Sequence, residues 1–212
     1  MQRIRLTYSK GDELRYTGNL DMQKVWERIF RRANLKLAYS QGFHPQPRIH
    51  QALPLPLTFT SINDLLDFWL DSDESLLQVQ QKIEPVLQPG ISIQEYGSIP
   101  LNDKPLQTQI AAANYTIKME YDAFIPDLPE RINLLLHREK CMRERRGKVY
   151  DLKPLILSIE TIPFEQAEFK MTLAALPSAT GRPEEVLDEM GIQLSDVSIV
   201  RTGLLLSNEI KE

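Results

Sequence analysis

A short segment at positions 39–48, Tyr-Ser-Gln-Gly-Phe-His-Pro-Gln-Pro-Arg, holds the side chains best suited to binding chemistry. Gly42 permits a positive φ angle or close backbone approach, Phe43 is a stacking platform for a base, and Arg48 suits phosphate or carboxylate. The two prolines stiffen the segment, which lowers the entropic cost of binding. The alternative is a hairpin turn whose Phe43 fills the core. The candidate binding residues here are Ser40, Gly42, Phe43, His44, Pro45, Pro47 and Arg48.

His44 and His50 are the candidates for catalysis. A histidine needs a nucleophile or an acid as partner, and a metal-independent ribonuclease would pair His44 or His50 with Arg48. No carboxylate lies in the segment and His137 is distant, so we expect no metal site and no cofactor. The sequence contains no nucleophile elbow, phosphate-binding P-loop or dinucleotide-binding glycine motif.

The net charge of −4 conceals alternating blocks of opposite charge. Residues 1–50 carry ten Lys or Arg and four acids, net +6, whereas 51–100 are net −6, 101–150 net +2 and 151–212 net −6. Such segregation indicates a polyanion-binding face, or else solvated faces neutralised by their neighbours in the fold. The helix set is Arg28, Arg31 and Arg32; the hairpin set is Arg143, Arg145, Arg146 and Lys148.

Hydrophobic periodicity predicts the elements that position these residues. The spacing of Met22, Val25, Trp26 and Ile29 predicts an amphipathic helix over 20–34 with Asn19 as its cap. Further helices are predicted after a cap at Ser72 or Asp73, over 127–137, and from Arg182–Pro183. Alternating or apolar runs predict strands at 3–8, 65–70, 91–96, 115–121, 155–161, 168–174 and 198–201, extended segments at 37–40 and 48–52, and a hairpin over 141–152.

This order predicts an α+β fold of two tandem ferredoxin-like βαββαβ units, the second with an extra β-hairpin. We expect an N-terminal unit at 1–98, a linker at 99–109 that is rich in turn-forming residues, and a C-terminal unit at 110–212.

Composition excludes several classes of protein. Cys141 is the single cysteine, so a disulfide framework or a cysteine-ligated cluster within this chain is excluded. Its basic neighbours favour a lowered thiol pKa, although an inert strand cysteine is the simpler reading. The N-terminus has no secretory signal and no apolar run approaches about 20 residues, so we expect a soluble, cytoplasmic protein without a membrane partner.

Several motifs resemble the radical SAM-linked protein family, a bacterial domain found alone or fused to a B12-binding-type radical SAM enzyme. The motifs are R-Y-T-G-N-L-D-M at 15–22, A-Y-S-Q-G-F-H-P-Q-P-R-I at 38–49, G-K-V-Y-D-L-K-P-L-I at 147–156 and V-R-T-G-L at 200–204. The resemblance implies a radical SAM protein as partner and adds Arg15, Asn19 and Asp21 to the candidate binding residues.

The chain departs from that family at Asn19, where members often have His, and after the L-P-L-P-L run, where Thr58 and 61–63 replace a Gly and a Glu-containing segment. The tandem architecture is also similar, more distantly, to RAMP-type RNA-processing proteins. Those proteins often cleave RNA with a histidine on or near the first helix, which is absent from 20–34.

Three functions therefore stand as hypotheses. The first is a non-catalytic accessory protein that binds RNA or presents a substrate to a radical SAM modifying enzyme. The second is a metal-independent ribonuclease of RAMP-like architecture. The third is a structural protein–protein adaptor that docks through the 39–48 loop.

Overall fold

The first strand shows how alternation in the sequence separates two faces of a sheet. In the computed structural model, which describes residues 1–120, 125–162 and 168–208, strand β1 spans Gln2–Lys10. Ile4, Leu6 and Tyr8 are at most 3% exposed and face the helices, whereas Arg3 and Arg5 lie on the opposite face. The strand therefore contributes apolar side chains to the core and cations to the other side of its sheet.

The chain divides into two units, Met1–Gln109 and Ile110–Glu212. Both units combine helices with antiparallel strand pairs, so the protein is α+β. The first unit contains β1, α1 (Asn19–Arg32), β2 (Ile49–Gln51), β3 (Thr60–Leu70), α2 (Leu76–Ile83), β4 (Ile91–Ile99) and the short α3 (Leu106–Gln109).

The strands of the first unit pair in the order β4-β1-β3-β2, and every pair is antiparallel. Helices α1 and α2 therefore lie between strands that are not neighbours in the sheet, whereas β2 and β3 follow each other and pair directly. This arrangement brings β1 to the centre of the unit and leaves β2 beside β3, where His50 is the cross-strand partner of Asp67.

Helix α1 packs an aromatic stripe against the sheet. Trp26 lies edge-on to Tyr8 with ring centroids 4.9 Å apart, and Phe30 stacks between Trp26 and Phe68 at 5.7 and 4.4 Å. These rings are almost wholly buried, and their area makes them the largest apolar contribution to this core. The packing fixes which side of α1 faces solvent and therefore where its arginines lie.

Helix α1 ends in a Schellman motif. Asn34 has a φ of 53°, a left-handed conformation that Asn tolerates better than most residues. The amide of Leu35 donates to the Phe30 carbonyl and that of Asn34 to the Arg31 carbonyl. The chain therefore turns back along α1 directly after the helix set of arginines.

The second unit repeats this order of elements and adds a hairpin. Its strands pair antiparallel as β11-β5-β9-β8, with β6 and β7 forming a separate two-stranded sheet. The elements are β5 (Ile110–Met119), α4 (Leu128–His137), β6 (Met142–Arg145), β7 (Lys148–Asp151), β8 (Ile156–Thr161), β9 (Glu168–Leu176), β10 (Ala179–Thr180), α5 (Pro183–Glu189) and β11 (Val197–Leu206).

Two predicted helix caps differ from the structure. Gly18, not Asn19, is the N-cap of α1, and Asn19 is its first helical residue. Helix α2 begins after Ser75, not after Ser72 or Asp73, because the Ser75 hydroxyl accepts a hydrogen bond from the Gln78 amide. Side-chain geometry at the helix start decides such caps, and apolar periodicity alone does not report it.

The segment 99–109, expected to be a linker, lies within the first unit. Leu106 is fully buried, and the Asp103 and Lys104 carbonyls accept hydrogen bonds from the Arg3 guanidinium. The backbone of this segment thereby satisfies hydrogen-bond donors of a buried cation. The predicted strand end at Tyr121 falls outside the described residues. No helix in the described part of the chain is long and apolar enough to cross a membrane.

Candidate functional site: a basic groove beside an aromatic loop

The base of the 39–48 loop is hydrogen-bonded to strand β3. The Ala38 amide donates to the Trp69 carbonyl, the Trp69 amide to the Arg48 carbonyl, and the Arg48 amide back to Ala38. The Arg48 guanidinium stacks on the Trp69 ring, 4.4 Å from its centroid. The loop therefore projects from a fixed base, as binding loops on rigid scaffolds do.

The neck of the loop is closed by Ser40 and Gln46. The Ser40 amide donates to the Gln46 carbonyl at 2.8 Å, and the Gln46 amide donates to the Ser40 hydroxyl at 2.9 Å. Just below the neck, Tyr39 and Pro47 form an isolated antiparallel bridge. The five residues beyond the neck, 41–45, are all exposed.

Phe43 projects fully into solvent at the tip of this loop. Gly42 precedes it with a φ of 133°, a conformation that L side chains rarely adopt, and no atom lies near its missing Cβ position. The alternative in which Phe43 fills the core is therefore excluded by its position. His44 and Pro45 share the exposed tip.

A groove of about 630 Å³ runs between α1, the turn after it and the base of the loop. We call it the basic groove. Its lining residues are Lys24, Glu27, Arg28, Arg31, Asn34, Leu35, Lys36, Leu37, Tyr39 and Pro47. Four of these side chains are cationic at neutral pH and one is anionic, so a polyanion is the complementary ligand.

The groove's cations have little internal compensation. Within the described part of the chain, Arg28, Arg31 and Lys36 form no ion pair, and Lys24 reaches Asp21 only at 3.9 Å in an exposed contact. Exposed ion pairs of that kind contribute little to the free energy of folding. The groove therefore presents cations that are free to bind a ligand.

The groove unites residues that the sequence assigned separately and adds others. Arg28 and Arg31 of the helix set join Pro47 of the loop, whereas Arg32 is exposed outside the groove. Lys24 and Lys36 were missed. The spacing of Lys24, Arg28 and Arg31 is four and three residues, which places them on one helix face and was the available signal.

The residues added by the family resemblance lie near the start of α1 and do not line the groove. The Arg15 guanidinium lies over the Tyr16 ring at 5.3 Å. The Asn19 carbonyl accepts a hydrogen bond from the Gln51 amide group at 3.2 Å, and Asp21 is exposed. These positions contribute to the local structure around the helix start.

His50 lies on the face of the sheet opposite the core, edge-on to Trp69 at 4.8 Å. Its cross-strand neighbour Asp67 is fully buried and is bound by the Arg3 and Arg5 guanidinium groups, with Arg5 Nε 2.7 Å from Oδ1. Burial, followed by the positive charge of Arg48, lowers the pKa of His50. The imidazole is therefore a neutral part of a structural cluster.

Two members of the hairpin set, Arg143 and Arg145, form ion pairs with helix α5. Arg143 pairs with Asp188 at 2.7 Å and with Glu189 at 3.0 Å, and Arg145 pairs with Glu185 at 3.2 Å. The Tyr150 hydroxyl also donates to Glu185, which is only 8% exposed. Arg146 and Lys148 remain exposed at the hairpin tip, where Arg146 has a φ of 50°.

Cys141 is buried beside this hairpin. Its amide donates to the Asp151 carboxylate, and burial together with the charge of Glu189 raises the pKa of its thiol. The basic neighbours in sequence therefore do not activate it. In the described residues, no three His, Cys, Asp or Glu side chains are grouped so as to hold a metal ion.

Comparison with solved structures finds matches at low identity and with TM-scores below 0.5. A chain of a Cbf5-Nop10-Gar1 complex is 10% identical, with a TM-score of 0.47, over 100% of this chain and 50% of that chain. A chain of an H/ACA RNP bound to a substrate RNA containing 2'-deoxyuridine is 10% identical, with a TM-score of 0.46, over 97% of this chain and 49% of that chain. This chain spans about half the length of both. The acetolactate synthase small subunit of Thermotoga maritima is 12% identical over 100% of both chains, with a TM-score of 0.27.

Comparison with curated proteins gives no significant match. One family model matches residues 3–183 of the 212, and its description is an uncharacterized protein conserved in bacteria, DUF2344. The match includes both the basic groove and the 39–48 loop as well as most of the second unit. This protein therefore belongs to the DUF2344 family.

Proposed function

We propose that this protein binds RNA through the basic groove and acts as a non-catalytic accessory of a radical SAM enzyme that modifies RNA. The observation that carries the RNA part is the groove itself, in which Lys24, Arg28, Arg31 and Lys36 face one concave surface. Phosphate contacts from such cations supply most of the non-specific affinity of nucleic-acid-binding proteins. The radical SAM partner enters this proposal from the motifs at 15–22 and 38–49.

We also propose that both units are ferredoxin-like. Apart from the one-turn α3 and the two-residue β10, the described part of each unit has two helices and four antiparallel strands in the same spatial order, and the second carries the β6–β7 hairpin as an insertion. In this reading the helices cover one face of each sheet. We place the protein in the cytoplasm, where a single buried cysteine stays reduced.

The ribonuclease alternative has less support. His44 lies exposed at the loop tip, whereas His50 packs against Trp69 on the sheet. The Arg48 guanidinium, which the ribonuclease would need for the scissile phosphate, already stacks on Trp69. A general base must reach the proton it removes while a second group stabilises the reacting phosphate. A ribonuclease would therefore need a histidine and Arg48 to move toward one phosphate, whereas the RNA-binding proposal needs no such movement.

Charge removal in the groove tests the RNA proposal. The Arg28→Gln/Arg31→Gln double variant is compared with wild type for binding to fluorescein-labelled tRNA by anisotropy over a salt series. We expect affinity to fall roughly tenfold for each lost phosphate contact near 0.1 M salt, and the salt slope to decrease by about one for each. Both side chains are exposed or line the groove, so the variant should unfold at the wild-type midpoint.

The matched control is Lys118→Gln/Lys170→Gln, which removes the same charge from exposed positions on β5 and β9. It should keep the wild-type affinity and salt slope. An equal loss in both double variants would show that only net charge matters and would refute the groove as the site. Affinity purification of the full chain from its bacterial host, with RNA sequencing and mass spectrometry, tests the radical SAM partner.

A further inference from the structure

Resting on the proposed function, we infer that the RNA bound by this protein is unpaired, with bases stacked on Phe43 and Tyr39 beside a backbone held in the basic groove. The structure places two exposed aromatic rings in one loop whose base forms a wall of that groove. A duplex keeps its bases stacked inside the helix, whereas single strands offer open faces to aromatic side chains. The two kinds of RNA therefore use different parts of this surface.

The loop holds Phe43 away from every apolar neighbour. Its ring is fully exposed. Gly42 creates the bend that sets it there, with a φ of 133° and open space around its Cα. Burying this ring against a base gains area without displacing any contact within the described protein.

Tyr39 connects the loop to the charged surface. It is 52% exposed, lines the groove and bridges to Pro47, and it lies four residues before Phe43. Lys36 and Arg31 line the same groove. A strand whose phosphates follow the cations thus passes an aromatic ring at the wall and a second ring at the loop tip.

The loop is also preorganised for this contact. Two hydrogen bonds between Ser40 and Gln46 close its neck. The cation–π contact of the Arg48 guanidinium with the Trp69 ring anchors its base to β3. A loop already held in shape loses less conformational entropy on binding. Little of the favourable energy of stacking a base on Phe43 is therefore expected to be offset by the cost of ordering the loop.

The experiment measures binding of the full chain to two labelled RNAs by anisotropy at one salt concentration. One is an oligouridine of about ten nucleotides, within the range of single-strand site sizes, and the other is a duplex of equal length. Wild type should prefer the single strand. Phe43→Ala should lower affinity for the single strand about tenfold and leave duplex affinity unchanged, because stacking on one base is lost.

Phe43→Trp is the matched variant, since it keeps an aromatic face and should retain single-strand affinity. Phe43→Leu keeps an apolar side chain without a ring and should lose single-strand affinity as Phe43→Ala does. Tyr39→Phe and Tyr39→Ala make the same comparison at the groove wall. Unchanged single-strand affinity in Phe43→Ala, or equal wild-type affinity for both RNAs, overturns the inference while leaving RNA binding intact. Absence of salt-dependent binding to either RNA overturns the proposed function as well.

Discussion

At the scale of single residues, Arg48 and His50 show how the fold reassigns side chains. The sequence offered Arg48 as a phosphate ligand, and the structure stacks it on Trp69 beside the Arg3–Asp67 ion pair. His50 packs edge-on against the same ring. Both residues are therefore part of the support under the 39–48 loop, and they help to hold its base in position.

The lowered pKa of His50 predicts a pH dependence of stability. Burial and the charge of Arg48 and Arg3 oppose protonation in the native state, and Asp67 opposes them only in part. The unfolded state, with a pKa near 6.5, therefore binds more protons, so stability is complete above that pH and declines as pH falls through the lowered native value. Denaturant midpoints measured from pH 7.5 to 5 should show this decline, and His50→Gln should make it shallower.

His44→Gln is the control for that measurement, because His44 is exposed at the loop tip. Its midpoints should follow the wild-type pH profile. If His50→Gln also follows it, the imidazole is not held neutral by its neighbours.

At the scale of elements, helix α2 shows how far the sequence identifies the N-cap residue of a helix. Ser75 and Gln78 form a capping box, in which the Ser75 hydroxyl accepts from the Gln78 amide and the Gln78 side chain accepts from the Ser75 amide. The S-x-x-Q pattern is present in the sequence, but Ser72 and Asp73 compete with it as capping residues. The hydrogen bonds between Ser75 and Gln78 show which turn begins the helix.

Ser75→Ala should lower the free energy of unfolding by about 1 kcal/mol, the usual cost of a lost N-cap. Urea denaturation followed by circular dichroism measures it. Ser72→Ala removes one part-buried hydrogen bond to Glu74 and no helix cap, so it should change stability less. A larger loss in Ser72→Ala than in Ser75→Ala would contradict the assigned helix start.

At the scale of the whole molecule, two basic stretches of similar composition have different roles. Arg143 and Arg145 of the hairpin set pair with the acidic helix α5, whereas among the described residues Arg28, Arg31 and Lys36 of the basic groove form no ion pair and Lys24 has only its exposed contact with Asp21. The overall charge of −4 therefore does not oppose RNA binding. Local charge at a concave surface decides attraction at distances comparable with the screening length.

Arg143→Ala/Arg145→Ala should therefore affect stability more than RNA affinity. Removing Arg145 takes one partner from the nearly buried Glu185, and removing Arg143 takes the partner from Asp188 and one from Glu189. We expect a loss on the order of 1 kcal/mol because the pairs are partly exposed. Thermal unfolding and tRNA anisotropy on the same preparation measure both effects. An affinity loss equal to that of Arg28→Gln/Arg31→Gln would assign the hairpin to the RNA-binding surface.

The sequence by itself determined the elements whose signals are local. The apolar spacing from Met22 to Ile29 specifies α1, and the turn at Arg146 and Gly147 specifies the hairpin, because each signal depends on residues within a few positions of one another. The exposed basic side of α1 follows from the same spacing. The repeated order of strands and helices follows from the sum of these local patterns.

Only the tertiary structure decided which charges are free to bind a ligand. Arg145 and Glu185 are 40 residues apart in sequence, and Arg3 and Asp67 are 64 apart, so no local pattern announces either pair. The meeting of Lys24, Lys36 and Tyr39 in one groove also depends on the turn at Asn34. Ion pairs and concave surfaces form when distant segments of the chain pack together. These two features distinguish the basic groove from the hairpin, where Arg143 and Arg145 are paired.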